Sequence, residues 1–398
     1  MPDPSSTFPV APEYELDRLV SPDDFREAAR QRLTPMAFDY YASGALTEWT
    51  LRENERAFRR WRFNKQVLVD VSQVDASTDV LGTAVPFPVL VAPTAFHRLA
   101  DPDGELATAR AVKSVGSLMV ASTLATTTLE DIATTGVQRW FQLYVQKDRG
   151  FTRQLIARAV SSGYSAIVLT VDTPVIGIRY SEMRNRFQLP DGLKLANFDK
   201  SMTAGGSDSN GDAVSGLRAF SEQFDQTLTW QDLEWLCGEC AAVGLPVMAK
   251  GILTATDARR AVEAGVAAIG VSNHGGRQLD GDPATLDVLP EVVDEVGDEV
   301  EVLLDGGVRT GPDVVKAVAL GARAVLIGRP VLWGLAAGGE SGVERVLTLF
   351  RDEVLDTLRQ AGIPALRAVR PTLLRRSNAS GSNEQPGPRL VAGVDPLA

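Results

Sequence analysis

Eight short runs of Val, Ile and Leu recur along the chain, at 88–92, 117–121, 140–145, 165–171, 246–250, 267–271, 301–305 and 324–328. Amphipathic stretches follow most of them, at 104–115, 128–134, 150–162, 231–243, 255–265, 312–320 and 342–360. Near-continuous apolar strands alternating with helices imply a parallel sheet covered on both faces. Eight such units predict an α/β fold, a single (β/α)8 TIM barrel, rather than an open sheet. A dinucleotide-binding sheet needs G-x-G-x-x-G after its first strand, and Pro93-Thr94-Ala95 stands there instead.

The barrel unit is expected over residues 16–375, with an N-terminal helical extension at 14–75 that holds Asp39-Tyr40-Tyr41-Ala42-Ser43-Gly44. Residues 1–15 and 376–398 are polar and proline-broken and read as flexible ends. About seventy residues separate the fourth and fifth runs, with a Gly/Ser/Asp-rich centre at 203–216. A connection of that length and polarity reads as a lid, at about 191–226.

Forty basic against fifty-one acidic residues give a net charge of -11, which offers nucleic acid or an anionic membrane no general attraction. No run of eighteen apolar residues and no secretory leader is visible, so the expected location is the cytoplasm. The two cysteines, Cys237 and Cys240, form an isolated C-x-x-C in a helical stretch, an incomplete zinc shell that reads as two thiols on one face. No metal site is expected.

Active sites of such barrels lie at the carboxyl ends of the strands. Nearly every run here ends on polar or charged residues: Thr94; Ser122; Gln142 and Tyr144; Thr170 and Asp172; Lys250; Ser272, His274 and Arg277; Asp305 and Arg309; Arg329. His274, set among glycines, is the candidate general base, because an imidazole titrates near neutrality. Asp172 is the candidate to orient its ring. His97, the second histidine, is expected to be structural or superficial. Asp305-Gly306-Gly307 and Gly328, with Arg309 and Arg329, read as a phosphate site. Lacking a Walker loop or a dinucleotide fingerprint, the site suits a mononucleotide such as FMN.

The run Val271-Ser-Asn-His-Gly-Gly-Arg-Gln-Leu279-Asp280 resembles the signature of the FMN-dependent 2-hydroxy acid oxidases, the family of glycolate oxidase, lactate oxidase and lactate 2-monooxygenase. The likeness extends through Asp39–Ala45, Ala92–Ala95, Phe141–Tyr144, Thr170–Pro174, Lys250-Gly251, Asp305–Arg309 and Ile327–Pro330. It implies FMN contacts at Pro93, Thr94, Ala95, Ser122, Gln142, Thr170, Lys250 and Ser272, with Asp305, Gly306, Gly307, Arg309, Gly328 and Arg329 at the ribityl and phosphate end. It implies a substrate carboxylate held by Arg179 and Arg277, hydroxyl contacts from Tyr40 and Tyr144, and proton transfer to His274 paired with Asp172. The implied reaction is oxidation of an (S)-2-hydroxy acid to the 2-oxo acid, with O2 reoxidising the flavin to give hydrogen peroxide. Oxidative decarboxylation, as in the monooxygenase, and a dehydrogenase with another electron acceptor are the alternatives.

Tetramers or octamers are common among such proteins, so a homotetramer or homo-octamer is the expected assembly. Where glycolate oxidases carry tryptophan, this chain has Leu124, which implies room for a larger substrate. The polar lid and the lack of a preceding haem domain argue against the membrane-bound mandelate and flavocytochrome types. Asp395-Pro-Leu-Ala398 is not a peroxisomal address.

Overall fold

The computed structural model describes residues 15–190, 192–198 and 224–377. Eight parallel strands close into a barrel: β1 (Val89–Val91), β2 (Leu118–Ala121), β3 (Gln138–Leu143), β4 (Ile167–Thr170), β5 (Val247–Ile252), β6 (Ala268–Val271), β7 (Glu301–Asp305) and β8 (Ala324–Ile327). Each pairs with its neighbours in sequence, and β8 returns to β1. The expected runs match these strands to within about two residues.

Two apolar layers follow from strands buried on both faces. Inside the barrel, Leu90, Leu118, Val120, Trp140, Val168, Met248, Leu303 and Leu326 pack together. The opposite faces of the same strands pack against the helices, with Val89, Val91, Phe141 and Ile269 among them. Each fully buried Val, Leu or Met contributes about 1.5–3 kcal/mol, so the interior is a plug and not a channel.

A short hairpin, Thr78–Val80 paired with Thr83–Val85, adds Val80 and Val85 to the inner layer. Leu81 N–H donates to Glu301 at the start of β7, so the hairpin closes the amino end of the barrel. The carboxyl end stays open as a cleft.

The expected helices appear as Gly104–Ser114, Leu129–Thr134, Arg149–Ser161, Trp230–Ala241, Ala255–Glu263 and Gly311–Ala319. A further helix, Thr285–Val296, lies between β6 and β7 despite Pro290 within it. The last expected stretch begins earlier than its periodicity suggests: helix runs from Arg329 to Ala361 and breaks at Gly338 and Gly339. The preface is helical at Pro22–Arg32, Pro35–Ala42 and Trp49–Arg59.

Strand Leu374–Arg376 pairs antiparallel with Trp61–Phe63, so the boundary expected at residue 376 falls within a strand. The expected ends, 1–15 and 376–398, otherwise lie almost wholly outside the described residues, as does most of the expected lid at 191–226. Cys237 and Cys240 are buried on the core side of their helix, where burial pushes the thiols up to about 11 and about 12. No helix among the described residues is long and apolar enough to cross a membrane.

Candidate active site

The carboxyl ends of all eight strands open into one cleft. Tyr40, Leu124, Tyr144, Arg179, His274 and Arg277 line it, together with Pro93, Thr94, Ala95, Ser122, Gln142, Thr170, Lys250, Asp305, Gly306, Gly307, Arg309, Gly328 and Arg329. Two expected site residues, Ser272 and Asp172, are not on its wall. Each stands one hydrogen bond behind it, because the strand ends carry the longer side chains past them.

Ser272 is a hub. Its hydroxyl accepts from Lys250 Nζ at 2.8 Å, donates to Asp305 Oδ1 at 2.8 Å and accepts from the His274 N–H at 3.1 Å. Lys250 Nζ also lies 3.1 Å from Asp305 Oδ2. Burial depresses the Lys250 ammonium, but Asp305 and Asp172 outweigh it and hold the group above its ordinary value. A fixed positive charge therefore sits on the cleft floor.

A kink in β5 aims it there. The register between β5 and β6 shifts between Lys250 and Ile252, and Gly251 takes a φ of 116°. A Cβ at Gly251 would lie 2.7 Å from Asp172 Cβ, so only glycine lets the ends of β4 and β5 approach this closely.

His274 follows β6 with a φ of 57°. A left-handed residue other than glycine costs about 1–3 kcal/mol and persists where its surroundings over-determine it. Here Asn273 is clasped to Asn54 through reciprocal amide hydrogen bonds of 2.8 Å, which ties the loop to helix Trp49–Arg59. The His274 ring places Nδ1 2.8 Å from Asp172 Oδ1. A carboxylate only accepts, so Nδ1 carries the proton and Nε2 keeps a free lone pair.

Burial lowers the His274 pKa below its ordinary 6.5, against the upward pull of Asp172. Burial would raise Asp172, but His274 and Lys250 outweigh it and keep it ionised. The neutral, basic form of His274 thus persists below pH 6.5. The acid limb of any rate that depends on His274 as base is expected to have its midpoint below that value. Asp172→Asn removes the upward pull and moves the limb to still lower pH; a pH–rate profile with an unmoved or raised limb would contradict the pairing.

Arg179 and Arg277, the arginines expected to hold a carboxylate, converge from different loops. Arg277 Nη1 donates to the carbonyls of Tyr40 at 2.7 Å and Ser43 at 2.9 Å, and its guanidinium stacks 5.1 Å from the Tyr40 ring centre. Arg179 Nε donates to the Arg277 carbonyl at 3.3 Å. Behind them, Phe187 stacks on Tyr40 at 4.4 Å and Phe224 on Tyr144 at 4.6 Å. Burial raises both tyrosine pKa values, so both hydroxyls stay protonated and able to donate.

The FMN-dependent dehydrogenase family model matches residues 29–376. The chain belongs to this family. It is 49% identical over 354 residues to glycolate oxidase 3 of Arabidopsis thaliana, covering 88% of this chain and 95% of that protein. It is also 49% identical over 357 residues to the L-lactate oxidase of a Nostoc species, covering 88% and 96%. Among solved structures, mandelate oxidase with (S)-4-hydroxymandelic acid superposes with a TM-score of 0.85 at 42% identity, over 90% of this chain and 99% of that one.

As a member of the FMN-dependent dehydrogenase family, the chain is an FMN-dependent oxidoreductase, and its cleft suits that group. Burial and the neighbouring Arg277 and Arg309 push the Arg329 guanidinium well below its ordinary value, with Glu55 as the opposing charge. Such a crowd of cations is relieved by a bound anion. Gly328 caps the helix that starts at Arg329, whose N-terminus adds its own positive potential. Gly307 takes a φ of 81°, and a Cβ there would lie 2.2 Å from the Asn54 carbonyl. Backbone N–H groups and arginines so placed fit a phosphate, and the neutral Pro93–Ala95 wall fits a flat ring.

His97 is buried and not superficial: its ring bridges Thr94 Oγ1 at 2.6 Å and Thr108 Oγ1 at 2.9 Å. Sequence reasoning missed Thr173, whose hydroxyl donates to Asp172 at 2.9 Å, and the aromatic supports Phe187 and Phe224. It also missed Glu182. The spacing of Glu182, three residues after Arg179, was the one signal that could have found it.

Proposed function

We propose that the chain oxidises (S)-2-hydroxy acids to 2-oxo acids, with His274 as base, Arg179 and Arg277 as carboxylate clamp, and O2 as the electron acceptor. The observation that carries this reading is the His274–Asp172 pair opening onto the same cleft as two arginines and the cationic floor at Lys250. FMN, when bound, supplies a two-electron acceptor that O2 restores with release of hydrogen peroxide. Arg309, Arg329, Gly307 and Gly328 would hold its phosphate end; Pro93, Thr94, Ala95, Ser122, Gln142 and Thr170 would line its ring and ribityl chain.

Gln142 links three strand ends: it accepts from Ser122 at 3.2 Å and donates to Thr170 at 3.0 Å. That network holds polar groups ready without freedom to rotate. Lys250 would favour the reduced, anionic cofactor electrostatically. Tyr40 and Tyr144 would donate to the substrate carboxylate and hydroxyl. His274 Nε2 takes the proton that leaves the substrate, and Asp172 stabilises the imidazolium.

Leu124 lies in the turn after β2 and, with Phe224 and Ile176, gives the cleft mouth an apolar wall. Leucine in place of an indole leaves space for a side chain larger than that of glycolate. Each methylene so accommodated changes discrimination by about 1–3 kcal/mol. Measured as kcat/KM on glycolate, lactate, 2-hydroxyoctanoate and mandelate, the parent is expected to prefer the larger acids. Leu124→Trp is expected to move the ranking back towards glycolate and lactate. A parent that prefers glycolate, or a variant with an unchanged ranking, would remove Leu124 from substrate selection.

A homotetramer or homo-octamer in the cytoplasm belongs to the same reading; the exposed apolar Ile178, Tyr180 and Met183 support the assembly alone.

A further inference from the structure

The clamp already holds a carboxylate. Glu182 lies on the short helix Tyr180–Arg184, and its Oε1 is 2.8 Å from Arg179 Nη1 and 3.3 Å from Arg277 Nη2. All three side chains are largely buried, at 14% exposure or less. The helix is fastened to the preface by Asn185, whose amide donates to Asp39, three residues from Glu182 and one from Tyr40. The carboxylate therefore stands where two loops meet, and one oxygen serves both arginines.

Two guanidiniums and one carboxylate leave one positive charge, which one substrate carboxylate neutralises. Glu182 already accepts from Arg179 Nη1 and Arg277 Nη2, and Arg277 Nη1 is engaged by the Tyr40 and Ser43 carbonyls. An incoming anion that uses the other N–H groups of the two guanidiniums would still sit beside the Glu182 carboxylate on the same pair of cations. Like charges on one pair of cations repel. Substrate and product carry the same carboxylate, so what weakens the hold on one also speeds the departure of the other.

We infer that Glu182 is a resident competitor for the clamp, a positioning residue that keeps the 2-oxo acid product weakly held and lets it leave before peroxide reacts with it. The inference rests on the clamp assigned to Arg179 and Arg277 above. Retained beside peroxide, a 2-oxo acid R–CO–COO⁻ reacts with H2O2 to give R–COO⁻, CO2 and H2O. The carbon–carbon bond to the carboxylate breaks, one peroxide oxygen joins the former keto carbon, and the peroxide is reduced to water. Glu182 thus bears on which products leave the cleft.

The test uses the FMN-loaded full chain as parent, Glu182→Gln, Glu182→Asp and Arg277→Met. Oxalate is titrated against flavin absorbance, and turnover products are assayed. Glu182→Gln keeps the shape and removes the charge. It is expected to bind oxalate about tenfold tighter, the scale of one charge-assisted hydrogen bond. Its KM and kcat should fall together while the rate constant of flavin reduction holds, and the share of decarboxylated acid should rise. Glu182→Asp, which keeps the charge, should behave as the parent, whereas a loss of folding would lower flavin content in both. Oxalate binding in Glu182→Gln equal to or weaker than the parent's overturns the inference. Arg277→Met binding oxalate as tightly as the parent would instead overturn the clamp itself.

Discussion

Replacing His274 by glutamine is expected to leave FMN bound and to slow anaerobic flavin reduction by about 10²–10⁴-fold, the range a positioned general base contributes. The reason is geometric. With Nδ1 committed to Asp172 at 2.8 Å, Nε2 is the ring's free acceptor, and burial keeps it unprotonated near neutrality. Glutamine can preserve a hydrogen bond to Asp172 but offers no lone pair of comparable basicity. The FMN contacts proposed above lie on other strand ends, so the cofactor's absorbance should survive the change. Stopped-flow reduction at near parental speed would remove His274 from the mechanism.

Replacing Lys250 by methionine is expected to destabilise the fold itself. Lys250 Nζ, Ser272 and Asp305 form a buried group, with Lys250 4% exposed and Asp305 7% exposed. Removing one partner of a buried ion pair leaves the other charge uncompensated and costs about 3–5 kcal/mol. Urea unfolding of the cofactor-free protein measures this directly. Adding Asp305→Asn removes the stranded charge and should recover most of the loss, because contacting residues are not additive. A single variant within about 0.5 kcal/mol of the parent, the usual span of a surface substitution, would show that the charges on the cleft floor do not couple. The same variant should also reduce flavin slowly, since the charge proposed to favour reduced FMN is gone.

The barrel was legible because strands buried on both faces leave unbroken apolar runs, such as Val89–Val91 and Ala324–Ile327, which no solvent-facing alternation interrupts. The cleft was legible for a related reason: polar residues immediately after such runs have only one end of the barrel to occupy. His274, Lys250 and Arg329 all landed there. What stayed hidden depends on contacts across the chain. Ser272, expected as a cofactor contact, has a short side chain that stops behind Lys250 and Asp305. Phe187 and Phe224 support Tyr40 and Tyr144 from segments with no periodic pattern of their own. Glu182 looked like one more acidic residue until Arg277, from a loop ninety-five residues on, came within 3.3 Å of it. The early start of the helix at Arg329 was masked by Gly338 and Gly339, which break its periodicity.

The central claim is that one cleft removes a proton and two electrons from a 2-hydroxy acid and passes the electrons to O2. The most direct measurement mixes the FMN-loaded protein with (S)-2-hydroxy acids in the absence of oxygen, follows the flavin absorbance, and then admits air. The account predicts that the yellow flavin bleaches with at least one of glycolate, lactate, 2-hydroxyoctanoate and mandelate. Air should then restore the colour, with 2-oxo acid and hydrogen peroxide formed in equal amounts. A flavin that stays oxidised with every acid, or one that bleaches but is not restored by oxygen, would contradict it.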